Sequence, residues 1–175
     1  METSQTALQF LALAQSEGIE YFCYNNENGE DIYYTGATQE FFDQKEQSIC
    51  NDPDLESREA IDEKINEWIE ESGFTLLEDE FEINYYDDNV VEYAGGEYLV
   101  IDDYTANQLW EQSLDNYLEE CIYPELSGSL SQYFDDEKWK IDARMDGRGH
   151  SLSSYDGNEY NETVQGESFC IFRIN

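Results

Sequence analysis

The chain has 175 residues, of which 42 are Asp or Glu, eight are Lys or Arg and one is His, giving a net charge of −34. That length suits one ordinary domain or two small ones, and a hydrophobic content of 39% is enough to bury a core. Low hydropathy with high charge is also the signature of disorder, but 14 Tyr, nine Phe and three Trp spread along the whole length exclude an acidic disordered tail.

Two bland causes of acidity fit poorly. Halophilic adaptation does not go naturally with four cysteines and many bulky apolar residues. Solubility alone calls for a net charge in single digits, and a larger excess repels itself and works against compactness.

No apolar stretch approaches the roughly 18 residues of a membrane span, and no basic segment precedes the short apolar run Leu8 to Leu13. The expectation is a cytoplasmic protein with no membrane contact. Cys23, Cys50, Cys121 and Cys170 are widely spaced without a CxxC pair. They point to buried free thiols and to no zinc or iron–sulfur site, and no cofactor is indicated.

Taken in chain order, Ser4 to Gln15 reads as a helix with apolar Leu8, Leu11 and Ala12 and a stop at Gly18, followed by a strand from Ile19 to Tyr24. Asn25 to Gly29 is a turn, Asp31 to Thr35 the returning strand, and Thr38 caps a short helix through Gln47. After the break at Asn51-Asp52-Pro53, a helix is expected from about Asp54 to Ser72, with Ile61, Ile65, Trp68 and Ile69 at helical spacing and Gly73 at its end.

Phe74 to Tyr86 reads as one or two strands, and Gly95-Gly96 turns the chain into a strand at Glu97 to Ile101. Asp102 or Asp103 caps a helix to about Ile122, with Trp110, Leu114, Tyr117, Leu118 and Cys121 inward and Pro124 beyond its end. A further helix is expected over Leu130 to Met145, then a Gly-rich loop from Asp146 to Gly157 and a closing strand from Ser168 to Ile174. The fold class is α+β, a small mixed or antiparallel sheet packed with about four to five helices. A single domain is expected, with Gly95-Gly96 the one plausible seam between an acidic α+β part, 1–96, and a helical part, 97–175.

Residues 1–137 hold 36 acids and three bases, whereas residues 138–175 hold six and five, so the acidity is regional. Lys138, Lys140, Arg144 and Arg148 either neutralise neighbouring carboxylates or form a separate contact surface. Glu56, Glu59, Glu63, Glu67 and Glu70 advance in steps of three and four, which places them on one helix face over roughly 21 Å. Glu111, Asp115 and Glu119 make a second ladder, held against the few tenths of a kcal/mol that each like-charge pair at this spacing costs. Each ladder by itself is also what an ordinary solvated face looks like.

Duplex DNA carries about one charge per 1.7 Å of axis, so 34 charges correspond to roughly 58 Å, or about 17 base pairs. Direct binding to nucleic acid is disfavoured. Competition for a cleft lined with Lys and Arg is favoured.

The segment Asp146 to Gly157 holds the only histidine. Arg148, His150, Ser151, Tyr155 and Asp156 offer groups that acid–base or nucleophilic chemistry uses, or anchors for a structural loop. No GxSxG, Walker, HExxH, GxGxxG or DxDxDG motif accompanies them, so no catalytic residue and no metal ligand is assigned.

The block Lys138-Trp-Lys-Ile-Asp-Ala-Arg-Met-Asp-Gly-Arg-Gly-His, continuing to Tyr155-Asp-Gly, resembles a segment of small bacteriophage and mobile-element proteins. Glu97-Tyr-Leu-Val-Ile-Asp-Asp and Phe172-Arg-Ile-Asn look similar to the same group, so the resemblance covers roughly the last 80 residues and carries no functional residue across. In composition alone, the chain is similar to acidic DNA-mimic antirestriction and anti-CRISPR proteins. The phage resemblance implies an origin more than an activity; together with the charge of the chain, the expectation is a non-enzymatic inhibitor in the host-cell cytoplasm that blocks a basic nucleic-acid-binding defence protein, a restriction or CRISPR effector. The other readings are a small enzyme or ligand-binding protein using the His150 loop, and a phage accessory protein that binds a basic partner. The oligomeric state, a homodimer included, stays open.

Overall fold

The computed structural model describes residues 3–26, 28–55, 57–126, 128 and 131–175, the side chain of Ser131 excepted. The chain divides into two compact units, Met1–Glu82 and Ile83–Asn175. Each has its own antiparallel sheet, so the α+β class holds, with two sheets in place of one.

In the first unit, α1 (Gln5–Ser16) starts where Ser4 Oγ accepts the Ala7 N–H at 3.2 Å. Every residue from Leu8 to Ala14 is buried, so α1 is an interior helix and not an amphipathic one. Gly18 adopts φ +69 to end it. β1 (Tyr21–Asn25) and β2 (Asp31–Thr35) form the expected hairpin, Phe22 opposite Tyr34, and β3 (Thr75–Leu76) pairs on the far side of β2.

Thr38 caps α2 (Gln39–Cys50), and Ser57 caps α3 (Arg58–Ser72). α3 begins later than the expected Asp54 because Asp52 Oδ1 takes the Asp54 N–H into a local turn, while Ser57 Oγ captures the Ala60 N–H. Its left-handed end at Gly73 is as expected. Within the segment expected as strands, Leu77–Glu80 forms the short helix α4 because Leu77 and Phe81, one turn apart, both enter the interior.

The first core is aromatic. Phe22 stacks on Phe42 at 4.5 Å and meets Phe74 edge-on at 5.1 Å, while Trp68 meets Phe74 at 5.5 Å. Ile65 and Ile69 of α3 close this cluster from below.

The second sheet has the order β4-β5-β6-β8-β7: β4 (Glu82–Asn84), β5 (Asp87–Tyr93), β6 (Gly96–Asp102), β8 (Glu167–Arg173) and β7 (Tyr160–Val164). Ala94 and Gly95, with φ 49 and 80, make the β5–β6 turn, and Gln165 and Gly166 repeat the device between β7 and β8. Gly95 thus sits in a hairpin turn and Gly96 begins β6, both inside the second unit, and the division of the chain falls earlier, after Glu82.

α5 (Asp103–Tyr117) is capped by Asp102 and continues as a π turn, Leu118–Ile122. Leu114 and Leu118 are buried as expected, whereas Tyr117 and Cys121 are exposed. α6 (Asp136–Arg144) starts at the Asp135 cap, well after the expected Leu130, which itself lies outside the described residues. The expected loop contains a short helix, α7 (Arg148–Leu152). Ala106, Leu109 and Leu152 join Leu99, Ile101, Cys170 and Phe172 in the second core.

All four cysteines are free, but only Cys170 is buried, Cys23 is half-buried, and Cys50 and Cys121 are exposed. Burial pushes the Cys170 and Cys23 thiols up to about 11. Among the described residues, no helix is long and apolar enough to cross a membrane.

Phe22, fully buried between Phe42 and Tyr34, is the test of the first core. Phe22→Ala is expected to lower the unfolding free energy by about 3–5 kcal/mol in urea titrations.

Candidate acidic docking faces

α3 has a buried side set by Ile65 and Ile69, which leaves Glu59, Glu63, Glu67 and Glu70 exposed on the opposite side. At 1.5 Å per residue, this row runs about 16 Å along the helix. Glu56, the expected first member, lies outside the described residues. Lys64 Nζ reaches Glu67 at 2.8 Å with both side chains about half exposed, so that pair neutralises little. Of the two other acids of the helix, Glu71 is exposed, whereas Asp62 is turned inward, 4% exposed, and takes Arg58 Nε at 3.1 Å.

The second ladder is a different object. Arg144 donates both Nε and Nη2 to Glu111 at 2.8 Å each, and Lys140 Nζ lies 2.5 Å from Asp115. Arg144 holds the Glu111 carboxyl below the usual carboxylate range. Glu111 and Asp115 therefore dock α6 on α5, and of the three only Glu119 has no ion pair among the described residues. Glu119 also lies within the π turn, beyond the α-helical spacing that relates it to Asp115.

The polar segment is bound into the second unit. The Arg148 side chain, 14% exposed, forks onto Glu159 and reaches Asp103 at 2.7 Å and Asn107 at 3.2 Å. Ser153 Oγ bonds Asp156 and the Arg173 carbonyl, both at 2.7 Å, and the Asp156 carboxyl is lowered first by Ser153 and then by the Asn158 N–H. Tyr155 lies against the Arg173 guanidinium at 3.9 Å. Gly149 packs so closely on the Gly157–Glu159 backbone that a Cβ would sit 2.5 Å from the Gly157 carbonyl oxygen.

His150 and Ser151 stand apart from that network. They line a cleft of about 560 Å³ with Leu114, Tyr117, Trp139 and Asp142, in which the Tyr117 and Trp139 rings lie nearly parallel at 5.6 Å. Ser153 and Asp156, the one hydroxyl–carboxylate pair of the segment, face away from it onto the backbone of β8. Among the described residues, no group of three or more His, Cys, Asp or Glu is placed to hold a metal ion.

The ledger of charge separates the two units. Residues 1–82 carry 22 acids and three bases, net −19, and residues 83–175 carry 20 and five, net −15. Arg58, Lys64, Lys140, Arg144 and Arg148 are in ion pairs, Lys45 lies 5.9 Å from the centre of the Trp68 ring, and Arg173 stacks on tyrosines. Lys138 is exposed, with no ion pair among the described residues. Sequence reasoning on its own did not single out Glu159 or Asn107, and it considered Asp103 only as a helix cap. The signal for them was Arg148, an isolated cation in a glycine-rich segment that required acceptors.

Comparison with protein-family models, curated proteins and solved structures gives no significant match for this chain.

Two outcomes follow from the internal pairs. Arg148→Met leaves Glu159, 18% exposed, without its cation, and should cost about 3–5 kcal/mol in denaturant. Asp102, whose carboxyl is lowered chiefly by the Thr105 N–H, contributes stability that is complete above the unfolded carboxyl pKa of about 3.9 and is lost as pH falls through its lower folded value. The stability gap between wild type and Asp102→Ala, about 1 kcal/mol at pH 7, should therefore narrow on titration below about pH 4.

Proposed function

We propose that this chain is a stoichiometric inhibitor that presents a nucleic-acid-like row of carboxylates to the basic cleft of a nucleic-acid-binding protein. The observation that carries the reading is the α3 row. Glu59, Glu63, Glu67 and Glu70 are exposed on a helix whose other side is fixed in an aromatic core, so the charges are in place before any partner arrives. Most of the chain's own cations are engaged internally, which leaves the row few competitors for the Lys and Arg of a partner.

The work of the row is electrostatic. Carboxylates on neighbouring turns, about 5–6 Å apart, meet clustered bases, and both surfaces release counterions. The field of a unit at net −19 also steers the encounter. Resemblance to phage proteins favours a host defence protein, a restriction or CRISPR effector, as the partner. Glu111 and Asp115 enter this reading as supports of α6, and the contact surface is assigned to α3.

The cleft beside His150 is the one observation that favours a second reading, a small-ligand protein. Two variants decide between them. Replacing Glu59, Glu63 and Glu70 together by Gln should weaken binding to a target nuclease about tenfold, at about 0.5 kcal/mol per exposed pair, and flatten its salt dependence while far-ultraviolet circular dichroism is unchanged. His150→Ala should leave inhibition untouched. Loss of inhibition in the histidine variant, with the triple Gln variant fully active, would transfer the function to the cleft.

A further inference from the structure

The turn between β4 and β5 carries Tyr85 and Tyr86, each 90% exposed, the most exposed large hydrophobic side chains among the described residues. Their rings stand perpendicular with centroids 5.0 Å apart. Two exposed aromatics at a loose turn would mean little, but this turn is braced at both ends. Asn84 Oδ1 accepts the Tyr86 N–H and Asp87 Oδ1 accepts the Asn89 N–H, both at 2.9 Å, while Asn84 Nδ2 holds Glu92 of β5 at 2.9 Å. Asp87 and Asp88, both exposed, follow the rings directly. No Lys or Arg occurs in the sequence between Lys64 and Lys138.

Bare aromatic faces beside carboxylates are costly to leave in water and useful in an interface, where Tyr rings rank among the strongest anchors. The two components match one kind of site. A duplex presents phosphates outside and keeps its bases stacked within, so a partner built for duplex has little use for a protruding ring. A single strand presents its backbone charge together with unstacked bases, and the grooves that bind it combine Lys and Arg with aromatic platforms.

We infer that the Tyr85-Tyr86-Asp87-Asp88 tip occupies a single-strand nucleic-acid groove of the partner protein, its rings taking the places of two bases and its carboxylates those of phosphates. The inference rests on the charge-imitating reading above and names its substrate class. Arg or Lys of the groove would lie over the Tyr faces as well as against Asp87 and Asp88, so ring and charge act on the same partner residues.

The test uses the full chain and two probes in a bacterial extract: a 5-iodouracil-substituted oligothymidylate and a duplex of the same length, each photocrosslinked to the proteins that bind it. Wild type is expected to lower one single-strand crosslink about tenfold and to leave duplex crosslinks within about twofold. Tyr85→Ser/Tyr86→Ser should need about tenfold more protein for the same effect, and Tyr85→Phe/Tyr86→Phe, which keeps the rings, should match wild type. Equal competition by wild type and the Ser variant overturns the role of the tip, and loss of duplex crosslinks overturns the single-strand assignment. Both of those results leave the charge reading standing. No change in any crosslink would sink the two together.

Discussion

Self-repulsion is the constraint under which this protein folds. With 42 carboxylates and eight bases, no arrangement pairs more than a minority of the acids, so the chain must place its few cations where they hold the most structure. Arg148 is the clearest instance. One guanidinium, nearly buried, joins α7 to the start of α5 and to Glu159 beside β7, and so ties a glycine-rich segment to both helix and sheet. Arg144 and Lys140 do the same between α6 and α5. A surface ion pair contributes little to stability; these partly desolvated ones define where elements sit.

The aromatic cores answer the same constraint from the apolar side. The cluster around Phe22 and Phe42 gathers large rings in offset and edge-on contact, which supplies burial and quadrupole attraction with no charge. α3 links that core to its outer carboxylates through a single helix. The residues that stabilise the fold and those that spoil it electrostatically alternate on one element, and the outward row survives because the inward one is strong.

Much of this was legible in the sequence, and the failures have identifiable causes. Ser4, Thr38 and Gly73 mark helix ends by side-chain chemistry that is local, and the Asp31–Thr35 strand lies within a short hairpin, so both were readable. β5 begins Asp87-Asp88-Asn89 and β7 holds Asn161, Glu162 and Thr163, polar runs that conceal a strand until the neighbouring strand is known. The late start of α3 turned on a contest between Asp52 and Ser57 that spacing alone does not decide. Of the two acidic ladders, sequence period treated both alike. What separates them is the packing of α6 against α5, more than twenty residues away in the chain, which consumes Glu111 and Asp115 and leaves the α3 row free.

The scarcity of cations has a consequence outside electrostatics. Proteases of the trypsin type require an accessible Lys or Arg in extended backbone, and this chain offers none between Lys64 and Lys138. Lys64, Lys138, Lys140 and Arg144 lie within helices, and Arg148 is clamped by carboxylates. A composition that repels itself thereby leaves cleavage at basic residues and amine-directed modification only a handful of places to act.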